Sequence, residues 1–233
     1  MEISLTKSSF YFTYIFLITT GTICFIEAVK NPIPQIRHIM NLETCISVVA
    51  GYFYAKFVDK IDNFEEDIKE EKDETIKNNK QKKLYETIND TRYTDWAIST
   101  PLMLLVLCMV LGYENKLNVH FTSVLYILIL NFFMLGSGYL GEINKISKFL
   151  ATLMGFVFFF GMYGLIWKTY MTNKSTFNSK IIFYSFLVLW AFYGLFYNMN
   201  NINKIIGYNI LDLLAKAFIG IFFWLYLTKT ITF

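Results

Sequence analysis

Seven stretches of mostly apolar residues, each about twenty long, follow one another through the chain, and a run of that length is what a helix needs to cross a bilayer core. They cover residues 8–29, 36–57, 92–113, 119–141, 147–170, 179–199 and 205–228, within a few residues at each end. Asn31-Pro32-Ile33-Pro34 separates the first from the second, because proline cannot continue a helix. The other breaks are short and polar, with one exception. Residues 59–90 hold 11 of the 18 acidic residues and 7 of the 21 basic ones. The rest of the chain keeps only Glu2, Glu27, Glu43, Asp95, Glu114, Glu142 and Asp212 as acids. A soluble domain carries about a quarter charged residues; this chain has 17% and cannot clothe a water-soluble globule.

The expected fold is therefore an all-α membrane protein, a seven-transmembrane-helix bundle forming one domain over residues 1–233. The charged segment 59–90 is expected to be an extramembrane loop between the second and third helices, solvated and partly helical or disordered. The net charge of +3 is too small and too dispersed for a phosphate-binding surface, which excludes nucleic acid and leaves membrane lipid as the partner. No metal-ligand spacing is present. Cys24, Cys45 and Cys108 fall in apolar stretches and are expected to be reduced, buried packing residues. With the long loop set aside, Lys30, Arg37, Lys116, Lys168, Lys174, Lys180 and Lys229 lie on one side of the membrane. Lys7, Lys145, Lys148 and Lys204 lie on the other, which favours an outside N-terminus.

An ionisable side chain inside a bilayer costs several kcal/mol unless it is paired or hydrated. The seventh span nevertheless contains Lys216 near its middle, with Asp212 four residues earlier on the same helix face. The third span supplies Arg92, Asp95 and Ser99, whose spacing of three and then four places them on one stripe. A desolvated lysine amine with two carboxylates beside it suits a covalent aldehyde adduct whose positive charge the carboxylates hold. The pattern alone also allows a buried ion cluster with no chemistry, and it does not name the aldehyde.

The residues around those charges resemble the microbial (type 1) rhodopsins. Arg92-Tyr93-Thr94-Asp95-Trp96-Ala97-Ile98-Ser99-Thr100-Pro101-Leu102 is similar to that family's RYxDWxxTTPL run. Leu211-Asp212-x-x-Ala215-Lys216 is similar to its LDxxAK run. Met134-Leu135-Gly136-Ser137-Gly138 and Trp190-x-x-Tyr193 resemble two further retinal-contact motifs, in the expected order along the chain. The resemblance implies all-trans retinal bound covalently to Lys216 as a Schiff base. Asp95 would be its counter-ion and primary proton acceptor, Asp212 a second counter-ion, and Arg92 would lie on their extracellular side. It places Trp96, Ser99, Thr100, Met134, Gly138, Trp190, Tyr193 and Tyr197 around the chromophore.

Several positions depart from the family pattern. Val106 stands eleven residues past Asp95, where proton pumps of the family carry a carboxylate donor. Asn131 stands where an aspartate is usual, and Gly194 replaces a proline. The mouth carries Lys204 and asparagines where the family's proton-release glutamates are not matched. Glu43 in the second span is a substitute donor, a gate residue, or an interface carboxylate capped by Arg37 or His38. Together with Lys204 and Asn209 it resembles the viral rhodopsins of giant algal viruses, within them the light-gated cation channel group.

The first expectation for function is a retinal-binding photoreceptor acting as a light-gated cation channel, with Ser9, Thr13, Glu43, Lys204 and Asn209 lining its path. A light-driven outward proton pump comes second, and a photosensor signalling through a partner third. None of these is an enzyme. The chain would be a multi-pass protein of a plasma or host-cell membrane, carrying cations or protons, and the resemblance allows a homo-oligomer.

Overall fold

The structure is a computed structural model, and it describes residues 2–69, 71–173 and 175–231. Lys174, one of the residues in the charge balance above, lies outside the described residues. The helices are α1 (Glu2–Lys30), α2 (Pro34–Ile68), α3 (Glu74–Asn115), α4 (Phe121–Glu142), α5 (Lys148–Tyr170), α6 (Phe177–Tyr197) and α7 (Asn201–Leu227). Among the described residues there is no strand.

Local chemistry sets the ends. Pro34 opens α2, where its missing N–H costs nothing. Asp73, Ser147, Thr176 and Asn200 cap the starts of α3, α5, α6 and α7 by accepting from backbone N–H groups two or three residues on. Lys116, in the left-handed region at φ 55°, closes α3, and Leu117 N donates back to Gly112 O at 2.8 Å.

Residues 59–90, expected to be a partly helical or disordered loop, are mostly helical. α2 continues to Ile68 and α3 starts at Glu74, so most of residues 59–90 extends two membrane helices into a hairpin. The apolar residues hidden among the charges explain it. Ile61 and Phe64 of α2 and Tyr85 and Ile88 of α3 are buried, at helical spacing. Lys7 of α1 pairs with Asp62 at 2.7 Å and with Glu65 at 2.5 Å, tying the hairpin to the first helix. Phe64→Ala should release the tip: amide exchange in the hairpin rises at least tenfold, while the membrane-spanning helices stay protected.

Among the described residues six helices are long and apolar enough to cross a membrane; α2 is not one of them, its stretch being diluted by polar residues such as His38, Asn41 and Glu43. It still packs along α1 and α3 as part of the bundle. α3 and α7 are the most enclosed spans, 61% and 50% buried, whereas α4, α5 and α6 are each 28% buried. The two helices that carry Arg92, Asp95, Asp212 and Lys216 are thus the most enclosed of these six. Of the cysteines, Cys24 and Cys108 are buried and all three are free, but Cys45 is exposed. Glu43, Ile46 and Ser47 face inward on α2, which turns Cys45 to the outside.

Candidate functional site

α3 and α7 meet at a cluster of four fully buried charges. Lys216 Nζ lies 2.8 Å from Asp95 Oδ2 and 3.4 Å from Asp212 Oδ1. Arg92 Nη1 lies 3.0 Å from Asp212 Oδ2, and Arg92 Nη2 donates to Asn209 Oδ1 at 2.7 Å. Six residues of π-helix, Leu213–Phe218, carry Lys216 within α7. Such a turn inserts an extra residue and re-aims the side chains it contains. Thr20 of α1 donates to the Ala217 carbonyl in this turn at 3.2 Å, holding it from outside.

The two carboxylates are not equivalent. Asp212 accepts from Tyr54 at 2.8 Å and from Tyr193 at 2.8 Å, besides its contacts with Arg92 and Lys216. Asp95 accepts from Lys216 through Oδ2, and its Oδ1 is buried without a partner. Asp212 thus meets four donors, while Asp95 meets one and keeps one oxygen bare.

A mostly apolar cavity begins at this cluster. Trp96, Thr100, Met134, Gly138, Trp190, Tyr193 and Tyr197 line it, together with Lys216 and Asp212. Trp96 and Thr100, four apart, line the cavity; Ser99, one turn past Asp95 on the same helix, is buried and its hydroxyl has no partner. Small residues keep the space open: a Cβ on Gly138 would lie 2.8 Å from the Tyr93 hydroxyl, and one on Gly194 2.6 Å from Phe156. Asn131 donates to Thr100 Oγ1 at 2.9 Å, joining α4 to α3 beneath the cavity.

The residues expected on an ion path fall in three places. Ser9 and Thr13 of α1 both bond Asn209, at 2.8 Å and 3.1 Å, beside Arg92. Glu43 is buried in the other half of the bundle, where a Cβ on Gly220 would lie 3.1 Å from its Oε2. Gly220 is one turn beyond Lys216, and among the described residues neither Arg37 nor His38 pairs with Glu43. Lys204 is buried against Glu142. Sequence reasoning missed Tyr54 and gave Glu142 no role. Tyr54 stands eleven residues after Glu43, three turns along the same face, which was the available signal.

A model of the bacteriorhodopsin-like protein family matches residues 5–230. The chain belongs to the bacteriorhodopsin-like family. The crystal structure of the viral rhodopsin OLPVRII is 43% identical, covers 98% of this chain and 100% of its own, and superposes with a TM-score of 0.84. Exiguobacterium sibiricum rhodopsin shares the fold at 17% identity, with a TM-score of 0.71 over 99% of this chain and 98% of that one. Opsin-1 of Neurospora crassa is 29% identical over 156 residues, 59% of this chain. The match spans 48% of that relative's own length. Membership in this family, together with the apolar helices, makes the chain an integral, multi-pass membrane protein with the microbial rhodopsin fold.

Family members bind retinal, and the residues present fit that group. The cavity is mostly apolar and rich in aromatic side chains, and a buried primary amine is part of its lining, as a polyene aldehyde requires. The orphaned Asp95 Oδ1 gives the amine end a second acceptor, and the glycines leave room that a side chain would fill.

Proposed function

We propose that this chain is a retinal-binding photoreceptor that uses light to move protons across the membrane, with all-trans retinal attached at Lys216. The proposed frame is one seven-helix domain over residues 1–233, its N-terminus outside, in a plasma or host-cell membrane. When bound, retinal supplies light-driven isomerisation and a positive charge at the Lys216 nitrogen. The protein's own groups do the rest. Asp212, held by Tyr54, Tyr193 and Arg92, keeps its negative charge beside Lys216. Asp95 Oδ2, 2.8 Å from Lys216 Nζ, takes the proton, and the free Oδ1 leaves the acid form a rotamer without competing donors. That asymmetry between the two carboxylates is the observation that carries the reading.

Reprotonation comes from the opposite half. Val106 is buried among apolar neighbours and offers no proton there. Glu43, buried against Gly220 one turn from Lys216, is the carboxylate in position. A positioned acid is worth about 10²–10⁴-fold. Glu43→Gln should slow recovery of the dark absorption after a flash by roughly 100-fold or more, and added azide, a small mobile acid, should restore part of it.

A light-gated cation channel is the second reading. The polar seam of Ser9, Thr13, Tyr54 and Asn209 between α1, α2 and α7 favours it, because a pore needs polar groups at several depths. The apolar packing of Ile39, Met40, Ile46, Met103, Leu104 and Leu107 at the other end weighs against it, since a hydrated cation must displace that core and a proton need not. Voltage-clamp photocurrents separate the two. A current that stays outward at all potentials supports the pump, and one that reverses with voltage replaces it with the channel.

A further inference from the structure

A second concavity, separate from the chromophore cavity, lies on the outside of the bundle between the first half of α6 and the second half of α7. It is a groove of about 860 Å³, within the range of ligand sites, roughly 300–1,000 Å³. Lys180, Tyr184, Ser185 and Val188 form its α6 wall, at the spacing of one helix face. Leu214 and Phe218 form part of its α7 wall, and both belong to the π-helix that carries Lys216. Tyr184 is 50% exposed and Val188 49%, so the groove is open to whatever surrounds the bundle.

The polar groups of this groove are gathered toward the start of α6. Lys180 is in the first turn of that helix and is the one charged side chain among the residues lining the groove. Among the described residues Lys180 Nζ has no ion pair, and the hydroxyls of Tyr184 and Ser185 have no hydrogen bond. Elsewhere in the bundle, hydroxyls of this kind are satisfied within their own helix. Thr19, Thr22, Thr44 and Ser137 each donate to the carbonyl four residues back, and Ser185 does not. Beyond these three groups the lining is apolar. The eight residues from Lys180 to Val188 take about 12 Å of helix. One leaflet of hydrocarbon is roughly 15 Å deep, so the groove runs from the membrane surface most of the way to its midplane.

A groove on the outside of a spanning helix pair is filled by lipid or by another protein. The order of its groups favours lipid: a cation at the surface end, hydroxyl donors about one turn deeper, then an apolar channel. That is the order of phosphate, ester carbonyls and acyl chain along a phospholipid. Basic pockets between membrane helices hold anionic headgroups in the same way. We infer that the groove between α6 and α7 is a binding site for one anionic phospholipid. Its phosphate lies on Lys180, its ester carbonyls accept from Tyr184 and Ser185, and one acyl chain passes Val188 to lie against Leu214 and Phe218. The chain of the lipid thus touches the turn from which Lys216 projects. The site requires a membrane-embedded bundle, and neither bound retinal nor proton transport.

The test is native mass spectrometry of the intact chain released from vesicles of equal parts phosphatidylglycerol and phosphatidylcholine. The parent protein should retain one phosphatidylglycerol, favoured over phosphatidylcholine about fivefold, which is what one lysine contributes near an anionic surface. Lys180→Gln should bring the two lipids to equal retention. Val188→Trp, which fills the channel from an exposed position, should remove the retained lipid while the protein still takes up retinal and shows its visible band. Equal retention of the two lipids by the parent, or an unchanged preference in Lys180→Gln, overturns the site. A dimer in the same spectra that Val188→Trp abolishes gives the groove to a second copy of the chain and overturns it as well. A colourless parent protein that retains the lipid as expected counts against the retinal reading and leaves the lipid site standing.

Discussion

Lys216→Ala leaves the protein colourless when all-trans retinal is added, because the side chain that would form the covalent link is gone. The expected loss is complete. Removing the ammonium also leaves Asp95 and Asp212 buried with Arg92 as their one remaining cation. Breaking a buried pair from one side costs about 3–5 kcal/mol, so a lower melting temperature should accompany the loss of colour. Lys216→Arg separates the two effects: it keeps a cation between the carboxylates but cannot make the same link. It should melt near the parent protein and still show no visible band. Visible absorbance in either variant would remove Lys216 from the centre of the site.

Asp95→Asn should abolish light-driven proton movement and shift the absorption of the pigment to the red. The transport loss follows from chemistry, since an amide in that place cannot accept the proton that Asp95 Oδ2 meets at 2.8 Å. Loss of a positioned proton acceptor predicts a fall of at least about 100-fold. The shift follows from electrostatics. Unit charges 4 Å apart attract by about 4 kcal/mol at an effective dielectric of 20. This attraction holds the ground state, whose positive charge sits at the Lys216 end, more than the excited state, whose charge has moved away. Removing it narrows the gap by a fraction of that energy. Absorption spectra and photocurrents check both effects. A variant with the spectrum and currents of the parent would transfer the acceptor role to Asp212, against the four donors that hold that carboxylate.

The membrane bundle was legible because bilayer physics writes itself into length and polarity. About twenty apolar residues per span, broken by prolines and polar turns, leave few other architectures. The charged pair on α7 was legible for the same reason, since helical spacing alone puts Asp212 beside Lys216. The hairpin of α2 and α3 was not. In water a helix shows itself by a narrow apolar stripe, and the four buried residues Ile61, Phe64, Tyr85 and Ile88 are sparse among the charges of residues 59–90.

What the sequence determined by itself is the set of groups: an amine and three neighbouring charges inside an apolar bundle, where each ionisable residue costs too much to be accidental. Only the tertiary structure decided how they divide the work. Tyr54 from α2 and Tyr193 from α6 converge on Asp212 and leave one oxygen of Asp95 bare, and Glu142 from α4 meets Lys204 from α7. These contacts join residues 19 to 158 positions apart. Spacing along one helix cannot specify them, because they depend on how the helices rotate and cross.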